Sequence, residues 1–256
     1  MTVDIHAHVL YGIDDGPKTV EDQLQLLRQA EQDGITDIIA TPHHLHPMFD
    51  NTFIEIEPQV KALNERLIKE GINVSIYPGQ EVRISDQFLK ALDEGLIQGL
   101  NHTKYLLIEF PSNQIPNYTQ ELFYELKILG YVPIIAHPER NKIIIEDLSL
   151  LYNLVEAGAL SQVTVGALTG KHGKNIQKAA ITIIDNHLAH LIASDAHHVE
   201  RRPFNYRTLQ DAKLNQTTLD RIEQLQHNAR YILNGEEIEK LQPEMNFKKK
   251  KWFGLF

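Results

Sequence analysis

The chain has 256 residues, a formal net charge of -9 at neutral pH and no cysteine. That length allows one large domain or two small ones around a sizeable core, and the acidic balance argues against nucleic acid as a partner. Without thiols there can be no disulfide, thiolate metal site or cysteine nucleophile, so any metal must be held by nitrogen and oxygen. The apolar run at the start is broken by Asp4, His6 and His8, unlike a signal peptide, and no run approaches the roughly 18 apolar residues of a membrane span. A cytoplasmic protein is the expectation.

Thr2 to Ile5 reads as a short buried strand that runs into His6 and His8. Residues two apart in an extended segment point to one side, so both imidazoles can reach one point, as a metal site needs. The loop Gly12-Ile13-Asp14-Asp15-Gly16-Pro17 follows, with two adjacent carboxylates. Thr19 through Glu31 has the pattern of a helix, with Thr19 and Asp22 placed as a capping box and Gly34 ending it. Asp37 to Thr41 is a second strand, followed by Pro42-His43-His44-Leu45-His46. A helix from Phe53 to Glu70 leads to strand three, Asn73 to Tyr77, and then Pro78-Gly79-Gln80-Glu81. Ser85 to Glu94 reads as helical, Tyr105 to Ile108 as strand four ending in Glu109, and Thr119 to Leu129 as helical up to Gly130.

Strand five, Val132 to Ala136, leads into His137-Pro138-Glu139-Arg140. A helix from Leu148 to Glu156 precedes strand six, Ser161 to Val165. Ile176 to Asn186 is helical, and His190 to Ala193 is strand seven, leading into Ser194-Asp195-Ala196-His197-His198. The last helix spans about Leu219 to Leu233. Residues 1–243 form the expected single domain, and 244–256 a tail with four lysines, Lys248 to Lys251, followed by Trp252, Phe253, Leu255 and Phe256.

Strands alternating with helices indicate parallel βα units, either a barrel or an open doubly wound sheet. The polar residues favour the barrel: His6, His8, His43, Glu81, Glu109, His137, Asp195 and His197 all stand at or just after the C-terminal end of a strand, where βα barrels place their active sites. Strand six contributes no such residue. Gly166 to His172 faintly echoes a phosphate-binding loop but is one residue short, and it reads as a strand-to-helix connection. His102, His187, His190 and His227 lie off the strand-end pattern and read as structural.

The segments DIHAHVLYGIDDGPK, ATPHH, PGQE, YLLIEFP, PIIAHPERN and IASDAHH, in this order, resemble the PHP (polymerase and histidinol phosphatase) superfamily. More closely, they resemble the bacterial manganese-dependent protein-tyrosine phosphatases of capsular and exopolysaccharide operons. The resemblance implies a distorted seven-stranded (βα)7 TIM-like α/β barrel with its metal site at the C-terminal ends of the strands. It also implies three divalent ions, Mn²⁺ with Fe²⁺ or Zn²⁺ as alternatives, held by His6, His8, Asp15, His43, Glu81, Glu109, His137, Asp195 and His197. Asp14 is the rival of Asp15. The phosphate-contacting arginines would be Arg140 and Arg202, with Arg201 a rival of the latter.

The implied reaction is hydrolysis of phosphotyrosine by a metal-bridging hydroxide. The implied partner is a bacterial tyrosine kinase that controls capsule or exopolysaccharide synthesis. The chemistry fits: divalent ions lower the pKa of water and offset phosphoryl charge, and guanidinium forks bind phosphate in bidentate fashion. Two other readings are a PHP phosphoesterase for a small phosphate such as histidinol phosphate, and an amidohydrolase-type deaminase. The deaminase fits less well, because Glu109 stands where a bridging lysine is often expected. The lysine and aromatic tail suggests peripheral contact with the inner face of the cell membrane.

Overall fold

The computed structural model describes residues 2–247. Its strands are β1 (Thr2–Ala7), β2 (Ile35–Ala40), β3 (His43–His44), β4 (Ser75–Pro78), β5 (Glu81–Arg83), β6 (Tyr105–Glu109), β7 (Val132–Ala136), β8 (Leu160–Thr164) and β9 (Leu191–Ala193). The helices are α1 (Val20–Gln32), α2 (Phe53–Glu70), α3 (Phe88–Asp93), α4 (Thr119–Ile128), α5 (Lys142–Glu146), α6 (Ser149–Glu156), α7 (Val165–Leu168), α8 (Lys174–Asp185) and α9 (Gln216–Asn234). All strand pairings are parallel, in the orders β1-β2-β4 and β3-β5-β6-β7-β8-β9.

These two sheets are parts of one distorted barrel. β2 and β3 are a single strand interrupted at Thr41-Pro42, and β4 and β5 a single strand interrupted at Gly79-Gln80. Pro42 has no N–H to give a ladder, which breaks the pairing there. The two breaks lie side by side, and beyond them pairing resumes with His43 opposite Glu81. A Cβ on Gly79 would sit 2.6 Å from Ile39 Cγ2, so only glycine lets the interrupted strands approach this closely. The ring closes between β9 and β1: Asp195 N donates to His6 O (2.8 Å) and His8 N to Ala196 O (2.8 Å). Counted this way the barrel has the seven expected strands.

Side chains alternate along the strands. Leu106, Ile108, Ile135, Val163 and Ile192 pack in the layer toward the helices. Tyr105, Leu107, Ile134, Leu160, Leu191 and Ala193 fill the barrel interior. The interior register continues through Tyr105 and Leu107 to Glu109. Period-2 geometry thus brings Glu109 to the barrel mouth, and Asp195, two residues past the end of β9, reaches it through a left-handed backbone turn (φ 55). Ala229, Ile232 and Leu233 of α9 join the interior cluster, and Asn101 Nδ2 and the Tyr105 hydroxyl donate to carbonyls of Leu233 and Glu236.

Several local expectations shift. Helix α1 starts with the expected Thr19–Asp22 capping box. The helix expected over Ser85 to Glu94 is confined to Phe88–Asp93. Strand β8 begins one residue before the expected Ser161 and ends at Thr164, because Val165 already opens α7. Helices α5 and α7 and strands β3 and β5 are too short for periodicity to register. Glu244 N and Asn246 N hydrogen-bond to Asn186, and Phe247 packs on the core. The lysine and aromatic segment after Phe247 lies outside the described residues. Among the described residues no helix is long and apolar enough to cross a membrane.

Candidate metal centre

The barrel mouth gathers nine side chains into one cluster. Three overlapping sets could each hold a metal ion: His6, His8, Glu81 and Asp195; His8, Asp15, His43 and His197; and His43, Glu81 and Glu109. His137 joins through its Nε2, 2.7 Å from Glu81 Oε1. All nine residues named from the sequence are therefore in the cluster, and Glu81 stands at its centre, with His6, His8 and His43 nitrogens 3.1–3.4 Å from Oε2. Two of the nine, His137 (φ 32) and Asp195 (φ 55), hold the left-handed backbone conformation. Side chains other than glycine rarely adopt it, and residues that do cluster at functional sites.

The neighbouring aspartates divide the work. Asp14 is buried, with Oδ2 2.7 Å from His8 Nδ1 and Oδ1 accepting from Gly16 N at 2.9 Å. It orients the imidazole of His8 from behind. Asp15 faces the cluster, its Oδ1 3.1 Å from His197 Nε2 and 3.5 Å from His43 Nε2. Gly16 is pressed on His8, where an added Cβ would meet His8 O at 2.7 Å, so the loop can pass only as glycine.

Both clamp candidates converge on Asp195. Arg140 Nη1 and Arg202 Nη2 each donate to its Oδ2, while Oδ1 lies 3.3 Å from His6 Nε2. Arg202 also reaches Asp15 at 3.5 Å. Arg201 is exposed, whereas the turn that presents Arg202 is held by backbone hydrogen bonds with His197 and His198. The geometry therefore turns Arg202 rather than Arg201 toward the cluster. His198 serves that turn, its Nδ1 accepting from Glu200 N at 3.1 Å.

Sequence reasoning missed four supports. Gln162 on β8 places Oε1 2.8 Å from His6 Nδ1, so the strand without a ligand still contributes to the site. Its signal was alternation: Leu160 faces the interior, hence so does Gln162. Asp4 accepts from His6 N and Ser194 N, tying the two histidine-bearing strand ends together. Arg83 pairs with Glu109 at 3.0 Å. His44 turns away from its neighbour His43 and pairs with Asp50 at 2.9 Å.

The donor set fits divalent cations. Asp195 Oδ1, His43 Nδ1 and His197 Nε2 are buried and make no hydrogen bond, although each lies 3.1–3.3 Å from another member of the cluster, an expensive arrangement for polar atoms that a shared cation would relieve. Burial, reinforced by Glu81, pushes the Glu109 carboxyl up to about 8. Burial holds His43 and His137 down to about 4, so both rings are neutral at physiological pH, the form that ligates metal. A cation among these groups reverses the carboxylate shift and uses the neutral imidazoles. Nitrogen and oxygen donors without sulfur suit Mn²⁺, Fe²⁺ or Zn²⁺.

The mouth is open. The Asp15 side chain is 43% exposed, and Arg140 and Arg202 about 30%. A cleft of about 340 Å³ runs outward past Asp15, Lys18, His197, Arg201 and Arg202.

A parallel barrel with a carboxylate-imidazole cluster and two guanidiniums at the C-terminal ends of its strands is the arrangement of a metal-dependent hydrolase. Residues 2–234 match the family model described as capsular polysaccharide synthesis, CpsB/CapC, and the chain belongs to that family. A Staphylococcus aureus protein named CapC is 46% identical, with 99% of each chain covered. The tyrosine-protein phosphatase YwqE of Bacillus subtilis is 41% identical over 99% of this chain and 100% of its own. A solved structure from work on YwqE and on CpsB of Streptococcus pneumoniae, described as metal-dependent tyrosine phosphatases, superposes with a TM-score of 0.91. It is 40% identical and covers 94% of this chain and 98% of its own.

Proposed function

We propose that this chain is a metal-dependent protein-tyrosine phosphatase of capsular or exopolysaccharide synthesis. His6, His8, Asp15, His43, Glu81, Glu109, His137, Asp195 and His197 would hold its divalent ions, up to three in number. The observation that carries the reading is the convergence of Arg140 and Arg202 on Asp195, a carboxylate of the cluster itself. Both guanidiniums therefore stand beside the place where the ions would bind a phosphate, whose oxygens such forks bind in bidentate fashion.

When bound, the ions supply an activated water nucleophile and offset the charge of the phosphate dianion. The chain does the rest. Arg140 and Arg202 grip the non-bridging phosphoryl oxygens and hold them as charge develops. Gln162 and Asp14 fix the tautomer and direction of His6 and His8. The open mouth admits a phosphate carried on a protein surface, where a small metabolite would call for an enclosing pocket with polar contacts. The proposed natural substrate is a phosphorylated bacterial tyrosine kinase, met in the cytoplasm at the inner face of the membrane.

The test is turnover of a phosphotyrosine peptide beside a phosphoserine peptide and histidinol phosphate, with metal analysis of the same preparation. Preference for phosphotyrosine that vanishes with chelation and returns with Mn²⁺ is the expected result. Preference for histidinol phosphate would replace this reading with that of a metabolite phosphatase.

A further inference from the structure

The loop after β3 builds an aromatic wall beside the cluster. His46 N donates to Phe49 O (3.1 Å) and Phe49 N to His46 O (3.2 Å), closing a tight hairpin around Pro47 and Met48. Its base is fixed by Asn51 Nδ2, which donates to His43 O (2.9 Å) and Ile13 O (3.1 Å). The rings of His43, His46 and Phe49 lie nearly parallel. Their centroids are 4.6 Å apart for His43–His46, 5.8 Å for His43–Phe49 and 5.4 Å for His46–Phe49, with interplanar angles of 22°, 7° and 19°. Phe49 and His46 are only half-buried, and Met48 at the tip is 74% exposed. An aromatic ring held this firmly and left half-exposed at a polar rim offers surface on which another ring can stack.

Its position relative to the clamp is fixed by one carboxylate. Arg202 Nη1 lies 3.5 Å from Asp15 Oδ2, and Asp15 Oδ1 lies 3.5 Å from His43 Nε2. The guanidinium and the ring that Phe49 stacks with therefore stand on either side of Asp15, the most exposed member of the cluster. A phosphoryl group held by Arg202 would stand across Asp15 from the ring of His43, on which Phe49 stacks. We propose that Phe49, braced by His46 against His43, is the shelf on which the phenyl ring of phosphotyrosine lies, and that it sets a preference for aryl over alkyl phosphate esters. The inference rests on the phosphatase reading above and deepens it.

The shelf acts on the substrate's ring and not on the reacting atoms. Its loss therefore weakens ground state and transition state alike and falls mainly on KM. One aromatic contact corresponds to roughly a two- to tenfold change. The experiment compares kcat/KM for phenyl phosphate and a phosphotyrosine peptide with that for glycerol phosphate and a phosphoserine peptide. It uses the wild type, Phe49→Ala, Phe49→Leu and Phe49→Trp, each with its metal content measured. The expected result is that the aryl-to-alkyl ratio falls two- to tenfold in Phe49→Ala, through the KM of the aryl esters. Phe49→Leu, which keeps the bulk and loses the π face, also lowers the ratio, and Phe49→Trp retains it. An unchanged ratio in both Ala and Leu variants, with wild-type aryl turnover intact, overturns the shelf and leaves the phosphatase reading standing. A wild type that hydrolyses no aryl phosphate overturns both.

Discussion

Two of the overlapping sets in the cluster share His8 and differ in how far their members reach toward solvent. The deep half, His6, His8, Glu81 and Asp195, is at most 2% exposed and stands on strand ends or directly after them. Each member has a further contact: Gln162 on His6, Asp14 on His8, His137 on Glu81 and the two arginines on Asp195. The outer half adds Asp15, His43 and His197, of which Asp15 comes from a loop and faces solvent. The difference suggests that the barrel pre-organises the deep half, while the outer half is where substrate is met. Fixed geometry is valuable where charge must be stabilised without reorganisation, and looser geometry where a protein surface must dock.

Glu81 joins the halves, and removing it should have the largest effect. Glu81→Ala strips a carboxylate from within 3.4 Å of His6, His8, His43 and His137 nitrogens. Bound metal should fall across the whole cluster, and kcat/KM by more than about 10³, since metal ions supply several kcal/mol of the stabilisation. Asp15→Ala should lower metal content only in part. Equal metal loss in the two variants, measured by elemental analysis, would dissolve the distinction between halves.

Arg140→Ala comes next. Its guanidinium contacts Asp195 and is not a ligand type, so metal content should persist while phosphotyrosine turnover drops roughly 10²–10³-fold. Unchanged kcat/KM would remove Arg140 from the reaction.

The sequence reveals the deep and outer members about equally well, because ligand residue types at strand ends are visible as letters. It does not reveal what braces them. Gln162 is not a ligand type, and its role depends on which face of β8 is interior. The choice of Asp15 over Asp14 depends on a turn in which Gly16 lies against the His8 carbonyl, and that register is absent from residue order. The fold was legible as seven βα units. The breaks at Pro42 and Gly79, which set His43 opposite Glu81, were not, because a strand of two or three residues has no period to read. Aromatic stacking of Phe49 on a loop is a tertiary contact of the same kind.

The bracing itself can be tested at Gln162. Gln162→Leu keeps the volume and removes the partner of His6 Nδ1. Metal affinity should weaken about 10–100-fold, the usual cost of losing an orienting contact behind a ligand, with full activity recovered at high Mn²⁺. An affinity equal to the wild type would show that the β1 backbone alone orients His6.

His190 sharpens the contrast from outside the cluster and should have the smallest effect at neutral pH. It stands before β9, buried, with Nδ1 accepting from Ser161 N at 3.2 Å. Burial, with a minor contribution from Lys240, lowers its pKa from 6.5 to about 3. The sign follows from proton binding: below pH 6.5 the unfolded chain takes up a proton that the folded chain refuses. The unfolded state is therefore favoured increasingly as pH falls, until the folded ring also titrates near pH 3. At pH 5 the difference corresponds to about 2 kcal/mol, at 1.36 kcal/mol per unit. The cluster histidines, once they hold metal, are also blocked from protonation, but they cancel in a comparison of two metal-loaded proteins. Urea unfolding of the wild type and His190→Gln at pH 7, 6 and 5 isolates the residue. The wild type should lose about 2 kcal/mol more than the variant between pH 7 and pH 5, whatever the variant's stability at neutral pH. Parallel losses would mean that His190 is protonated in the folded chain and that Ser161 N is held by another acceptor.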